Sequence, residues 1–300
     1  MSEPQYPYLP EGKQFLFAGI NDLSMQAAKG AQEECSGDQI YPVGAVLVRE
    51  GKVLARAGNG YNKGKAFVHI CPRVVRECKS GEGYDLCHHH DSPGHAEQQT
   101  IKAAQEAGID VAGADLYMYG HWWACEPCWK TMMEAGIRHV YLLENAHEEF
   151  SRDRVYAKTL VPSVKTAYLS CGLTYAPAEI RDFYSQLKIA AGEVGVEMYC
   201  PHEHTDPLKA TVHSPSEIYD VDKKRVQESD VLVAYLGSPS FGVGAEMEMA
   251  HSAGKPAVIL VEKGKKIPRI MAGYPSVVYL VEFESWPEAC RQLKNVLKQL

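Results

Sequence analysis

The sequence predicts an α/β protein of two domains. The chain has 300 residues, which is long for a single compact core. Strand-like apolar runs alternate with stretches of helical periodicity from one end to the other. Near the middle, residues 146–164 ("AHEEFSRDRVYAKTLVPSV") break the alternation with a dense run of charges and a proline. The expected division is a first domain over 1–150 and a second over 165–300.

Residues 15–36 carry apolar and small residues at helical spacing and read as a helix. "YPVGAVLVRE" and "KVLARAG" read as two strands of a hairpin, split at Gly51-Lys52. "AEQQTIKAAQEAG" is a helix stopped by Gly108, "ADLYMYG" a strand, "EPCWKTMMEAG" a helix stopped by Gly136, and "HVYLLE" a strand. Helix, hairpin, helix, strand, helix, strand describes a layered α/β domain. Beyond the charged stretch, "KTAYLSCGL" is a strand and "PAEIRDFYSQLKIAAGEVG" a helix with Pro177 at its start. "VEMYCP", "DVLVAYL", "PAVILVE" and "SVVYLVEF" follow as strands. "SEIYDVDKKRVQES", "GAEMEMAHSAG" and "SWPEACRQLKNVLKQL" intervene or close as helices. The nearly all-apolar "DVLVAYL" is what a parallel strand covered on both faces requires. An open, doubly wound, Rossmann-like parallel sheet is expected, with ligands beyond the carboxyl ends of its strands.

Composition narrows the function. A net charge of −7 with no basic stripe disfavours a nucleic-acid binder. No apolar run approaches the roughly 18 residues that cross a bilayer, so no membrane partner is expected. The first residues, "MSEPQYPYLPEGKQ", lack the pattern of a signal peptide, and the expected location is cytoplasmic. Nine cysteines cannot all pair, and free thiols or metal ligands fit that location better than disulfides. Cys35, Cys171, Cys200 and Cys290 read as buried free thiols.

The segment "HICPRVVRECKSGEGYDLCHHHDSPGHAEQQTI" (69–101) is crowded with cysteine and histidine and ends in His95-Ala96-Glu97. His95 opens one expected helix, and Cys125-x-x-Cys128 opens another. One His and two Cys supply three ligands for zinc and leave a fourth position open, as a catalytic zinc needs. Glu97, two residues from the first ligand, can reach water beside the metal without binding the metal. Zinc brings the pKa of such water to about 7. Each half alone is weak, since His-Ala-Glu arises by chance and Cys-x-x-Cys also serves redox sites. Together, each opening a helix with a strand between, they carry the reading.

This arrangement resembles the cytidine and deoxycytidylate deaminase family, whose signature is His-x-Glu followed by Pro-Cys-x-x-Cys. The resemblance implies a three-layer zinc domain in which His95, Cys125 and Cys128 hold zinc and Glu97 shuttles protons. Ala124 stands where the family has proline. Gly60-Tyr61-Asn62 resembles the family's Gly-Tyr-Asn segment and makes Asn62 a candidate for the substrate sugar, against the plainer reading of a turn residue. The segment before His95 resembles the insertion of deoxycytidylate deaminases, which implies a nucleoside monophosphate. Cys71, Cys78, Cys87 and His88 (or a neighbouring histidine) are candidates for a second, structural zinc, although their spacing is not a standard zinc pattern. One ring of Trp122-Trp123 is expected in the pocket. His202, His204 and Asp206 in "PHEHTDP" read as a polar loop.

The second landmark is "AYLGSPSFGVGAEMEMAHSAG". A buried strand runs into Ser240, Gly242 and Gly244, and a helix is expected to start near Ala245-Glu246. Glycines let backbone amides approach a ligand at a helix N-terminus. A carboxylate just inside that helix is either an ordinary first-turn acid or one that works on a sugar C1. Residues 166–262 resemble the nucleoside 2-deoxyribosyltransferase superfamily, especially its 2'-deoxynucleoside 5'-monophosphate N-glycosidase branch. The resemblance implies Glu246 as nucleophile and Asp222 as the acid that grips the sugar or assists the base. Tyr168, Gly172, Ser240, Gly242 and Gly244 then bind substrate, and a homo-oligomer completes the site. Glu246-Met247-Glu248 replaces the family's Glu-Leu-Gly, and the arginine of the monophosphate branch is missing from "LTYAP".

The expectation is therefore a bifunctional zinc enzyme acting on a small nucleotide, CMP or dCMP: it deaminates cytosine and cleaves a pyrimidine N-glycosidic bond, releasing base and (deoxy)ribose 5-phosphate. Two alternatives stay open. The second domain is a regulatory nucleotide-binding module or a deoxyribosyltransferase, or the protein edits polynucleotides.

Overall fold

In the computed structural model the described residues are 5–60, 69–174, 176–204, 214–237 and 239–300. The chain divides into two compact units, Met1–Phe67 with Glu77–Leu160, and Val68–Arg76 with Val161–Leu300.

The first unit contains β1 (Phe15–Ala18), α1 (Leu23–Cys35), β2 (Gly44–Arg49), β3 (Lys52–Gly58), α2 (Ala96–Glu106), β4 (Asp115–Tyr119), α3 (Glu126–Glu134), β5 (Val140–Leu143) and α4 (Arg152–Thr159). Its sheet has the order β1-β5-β4-β2-β3. The β1, β5 and β4 strands run parallel, while β2 is antiparallel to both β4 and β3. The stretch read as one helix over 15–36 is thus a strand and then a helix. β1 adds to β5 in register from Phe15 with Val140 to Ala18 with Leu143. Asp22 then starts α1, its Oδ1 accepting the N–H groups of Ser24 and Met25 at 2.9 and 3.0 Å.

The hairpin turns through Glu50 and Gly51, both at positive φ, the geometry of a tight hairpin loop. Gly44 and Gly58 face each other across it. A Cβ on Gly44 would lie 2.1 Å from the Gln32 nitrogen, and one on Gly58 2.2 Å from the Ser36 nitrogen. The paired glycines therefore let the backbone of α1 close onto the sheet. From Gly44 to Val48, β2 is buried throughout, so both faces of the sheet are covered, as a three-layer domain requires.

The second unit contains β6 (Thr166–Ser170), α5 (Ala178–Gly192), β7 (Glu197–Tyr199), α6 (Pro215–Glu228), β8 (Val231–Tyr235), α7 (Phe241–Ser252), β9 (Ala257–Glu262), β10 (Val277–Phe283) and α8 (Trp286–Leu297). Its strands are all parallel, in the order β10-β9-β8-β6-β7. The direction of winding reverses between β6 and β8, and a doubly wound sheet opens a ligand crevice at that point. Strand alternation divides the interior into two cores. Ala167, Leu169, Val231, Val233, Val258 and Leu260 enter one. Tyr168, Leu232, Ala234, Ala257 and Ile259 enter the other, against Val243, Met247 and Ala250 of α7.

Two local expectations change. "PHEHTDP" begins as a short helix, Pro201–His204, with His202 buried; Asp206 lies outside the described residues. Cys171 and Cys200 are buried thiols, whereas Cys35 and Cys290 are only half-buried. Among the described residues, no helix is long and apolar enough to cross a membrane.

Candidate active sites

The first site is built by two helix starts. His95 is the residue that precedes α2, and Cys125 precedes α3, both with extended backbone. Neither uses its side chain to cap its helix, so both ligand groups remain available. Cys128 sits one turn into α3. His95 Nδ1 lies 3.4 Å from each sulfur, and the three ligand atoms lie within 4.8 Å of one another. That is the spacing of groups around one tetrahedral ion. His95 Nε2 is 3.3 Å from the carbonyl oxygen of His90, which favours a proton on Nε2 and leaves Nδ1 to face the sulfurs. The hydrogen bond from Cys128, then His95, favours thiolate at Cys125, while Cys128 itself is pushed up. A metal bound by both sulfurs would take them as thiolates and displace their protons. The donor set, its burial and its spacing all fit zinc.

Glu97 is buried beside this cluster, 4% exposed, in the first turn of α2. Burial pushes its carboxyl up, with the His95 charge opposing. A carboxyl so placed can both accept and return a proton.

Behind His95 lies an anchor that the sequence reading did not single out. His90 Nε2 is paired with Asp38 Oδ2 at 2.8 Å. Asp38 Oδ1 accepts from the Ile40 and Tyr41 N–H groups, and its Oδ2 also accepts from Asn59 Nδ2. Gly60 N–H donates to the Gly94 carbonyl at 2.9 Å. These bonds fix the segment that presents His95. The signal available was local: Asp38 lies two residues before Ile40, an Asx-turn spacing.

Among the residues considered for a second ion, Cys87 is buried and hydrogen-bonded with His90. His88 is exposed, so His90 is the histidine that turns inward. Cys78 Sγ packs at Gly83, where a Cβ would meet it at 2.9 Å. Cys71 belongs to the segment grouped with the second unit, and its N–H donates to Gln299 there. Trp123 is buried, while Trp122 is half-buried, stacked on Tyr6 and edge-on to His147. Asn62 lies outside the described residues.

The second site sits at the sheet's reversal point. Tyr168 Oη donates to Glu246 Oε1 at 2.8 Å, and Ser170 Oγ donates to Glu246 Oε2 at 2.5 Å. Tyr168 and Ser170 are two apart on β6 and therefore share a face. Burial raises the Glu246 carboxyl to about 7; the two hydroxyls oppose the rise and Asp222 of α6 adds to it. Tyr168 stacks on Tyr199, with ring centroids 5.6 Å apart, and Arg225 lies over the other ring. The Gly172 carbonyl accepts the Tyr184 hydroxyl at 2.9 Å.

Glu246 is not in a first turn. Helix α7 begins at Phe241, capped by Ser240, whose Oγ accepts from Val243 N–H at 3.4 Å. Gly242 and Gly244 are therefore helical, and the Gly244 N–H donates to the Ser240 carbonyl. Two glycines disguised this turn as loop, because glycine is a poor helix former. Ser170 was also not singled out, although its spacing from Tyr168 placed it on the same face.

Comparison with known proteins finds similarities of two kinds. Residues 20–144 match the family model of the cytidine and deoxycytidylate deaminase zinc-binding region. The chain thus resembles that zinc-binding region over these residues, most of which lie in the first unit. A curated relative from Thermofilum pendens, named as a 2'-deoxynucleoside 5'-phosphate N-hydrolase, is 31% identical over 87 residues. That match covers 28% of this chain and 61% of the relative's length. A solved CMP N-glycosidase from Clostridium botulinum is 19% identical, covers 43% of this chain and 97% of its own, and has a TM-score of 0.35. A Thermotoga maritima diaminohydroxyphosphoribosylaminopyrimidine deaminase/reductase is 16% identical, covers 87% of this chain and 80% of its own, and has a TM-score of 0.31. The sequence similarity is thus to a deaminase zinc-binding region and to a nucleotide N-hydrolase.

Proposed function

We propose that the protein is a bifunctional nucleotide enzyme with one chemistry in each unit. The first unit deaminates the cytosine of CMP or dCMP. The second cleaves the N-glycosidic bond of a pyrimidine nucleotide, releasing base and (deoxy)ribose 5-phosphate. The observation that carries this reading is the pair of buried carboxyls. Glu97 stands beside the cluster of His95, Cys125 and Cys128, and Glu246 is gripped by two hydroxyls at the reversal point of a doubly wound sheet.

His95, Cys125 and Cys128 would hold the zinc. The ion supplies Lewis acidity that makes water nucleophilic near neutral pH. Glu97 takes the proton from the attacking water and returns it to the departing amine, so that C4 gains oxygen and ammonia leaves. A second ion would find Cys87 and His90 among its ligands, with Asp38 orienting the imidazole; metal analysis counts the ions.

In the second unit, the Glu246 carboxylate bonds to the sugar C1 as the C–N bond breaks. The bonding pair leaves with the base, which Asp222 assists by protonation. Water then displaces Glu246 to give the sugar phosphate. Ser240 and the first turn of α7 receive the phosphate end. The similarity to an N-hydrolase supports hydrolysis over transfer. A homo-oligomer in the cytoplasm is part of the proposal, and sedimentation of the purified protein tests the oligomer.

The test is product analysis on CMP, dCMP, cytidine and deoxycytidine, with Glu97→Ala and Glu246→Ala in parallel. Uracil and a sugar phosphate from the unaltered protein support the reading. A deaminated nucleotide with no free base from any substrate removes the second activity.

A further inference from the structure

The second site holds a group that the proposed chemistry does not yet use. Ser170 is completely buried at the carboxyl end of β6, and its hydroxyl meets Glu246 Oε2 at 2.5 Å. A buried serine within a parallel strand is costly unless its hydroxyl is bonded. Here that bond goes to the carboxylate on which the proposed cleavage depends. Tyr168 holds the other oxygen at 2.8 Å. Each oxygen of Glu246 thus has its own donor, both from one face of one strand.

We infer that Ser170 is a positioning residue for Glu246, fixing the carboxylate's rotation about its last bond and keeping it ionised while it is buried. This rests on the reading of Glu246 as the nucleophile. A single donor from Tyr168 would leave the carboxylate free to turn about that bond. Two donors, one per oxygen, remove the freedom and leave the outer lone pairs directed away from the strand. Hydroxyl donors also favour charge over the neutral acid, because a protonated carboxyl is a poorer acceptor. The other titratable groups at Glu246 work against charge or are neutral. Asp222 from α6, once it has given up its proton, repels a second negative charge, and Tyr168 and Cys171 remain protonated. Ser170 and Tyr168 are the groups that oppose burial at this carboxyl.

The inference predicts a pH signature rather than a mere loss of rate. In Ser170→Ala, the acid limb of base release moves up by about one pH unit, since a hydrogen bond to a charged group is worth about that much. At pH 6 turnover falls roughly tenfold, recovers toward pH 9, and KM changes less than about threefold. Ser170→Thr keeps the hydroxyl and restores the profile.

The decisive reading does not require turnover. The protein is labelled with carbon-13 at glutamate carboxyls, and the Glu246 signal, assigned by its loss in Glu246→Gln, is titrated in each variant. A Glu246 midpoint that rises in Ser170→Ala and returns in Ser170→Thr supports the inference. An identical midpoint in all three overturns it, even if Ser170→Ala is less stable. Base release that survives in Glu246→Gln sinks the nucleophile reading instead, whichever way the titration falls.

Discussion

Tyr168 on β6 donates its hydroxyl to Glu246 on α7 at 2.8 Å, across the point where the order of the parallel sheet reverses. Strand, helix and crevice meet in that bond. The residue is buried as a phenol among apolar neighbours, and its own ionisation is pushed far upward by burial first and by Glu246 next. It serves only as a donor. Tyr168→Phe should lower base release by roughly ten- to a hundredfold, the value of a hydrogen bond to a charged group. Deamination, measured on the same sample, should not change.

Glu246 also sets a pH dependence with a definite sign. Its folded value lies near 7, against 4.5 for an ordinary glutamate. As nucleophile it must be ionised, so base release should rise as pH increases through about 7. Stability should do the opposite. Between 4.5 and about 7 the unfolded chain has lost this proton while the folded chain retains it, so stability falls across that window. Glu246→Gln should therefore be inactive in base release yet more stable at pH 8, by roughly 1–3 kcal/mol. Urea unfolding at pH 5 and pH 8 measures the difference; an equal effect at both would contradict the linkage.

The zinc site separates binding from chemistry. Cys125→Ser and His95→Ala should lose metal and deamination together. Glu97→Ala should retain zinc by elemental analysis while deamination drops by about 10²- to 10⁴-fold, the usual worth of a general acid–base group. Zinc loss in Glu97→Ala would show that this carboxylate holds the metal instead.

Asp38 should matter at a distance. It grips His90, whose carbonyl faces His95 Nε2 at 3.3 Å. Asp38→Ala should weaken zinc retention about ten- to a hundredfold against a chelator, as loss of an outer support to a ligand does.

Gly44→Ala tests the packing of the first unit. The new methyl would sit 2.1 Å from the Gln32 nitrogen, a helix backbone atom that cannot step aside alone. A loss of about 3 kcal/mol is expected, at the upper end of overpacking costs. Thermal unfolding reports it. Gly30→Ala, where a Cβ meets nothing within 4 Å, is the neutral control.

Much of this was legible in the residues. The clustering of His95, Cys125 and Cys128 was readable because they stand at helix starts, where sequence punctuation is strongest. The parallel sheet was readable because strands such as Val231–Tyr235 are apolar at every position. β1 was not readable, since Phe15–Ala18 is four residues long and owes its strand state to pairing with β5. The start of α7 was hidden by Gly242 and Gly244. The Asx-turn spacing of Asp38 and Ile40 was local, but the grip of Asp38 on His90 joins residues 52 positions apart, and no spacing announces that partner.

The central proposal is that each unit carries its own hydrolysis and that the second takes the nucleotide the first has deaminated; the most direct test is a time course of dCMP and CMP turnover in water enriched in heavy oxygen. The account predicts free uracil carrying the heavy atom at C4. It predicts dUMP or UMP with the same label accumulating in Glu246→Ala, and no uracil from Glu97→Ala. Unlabelled cytosine released at full rate by Glu97→Ala would contradict a series of reactions and show that the second site acts without the first.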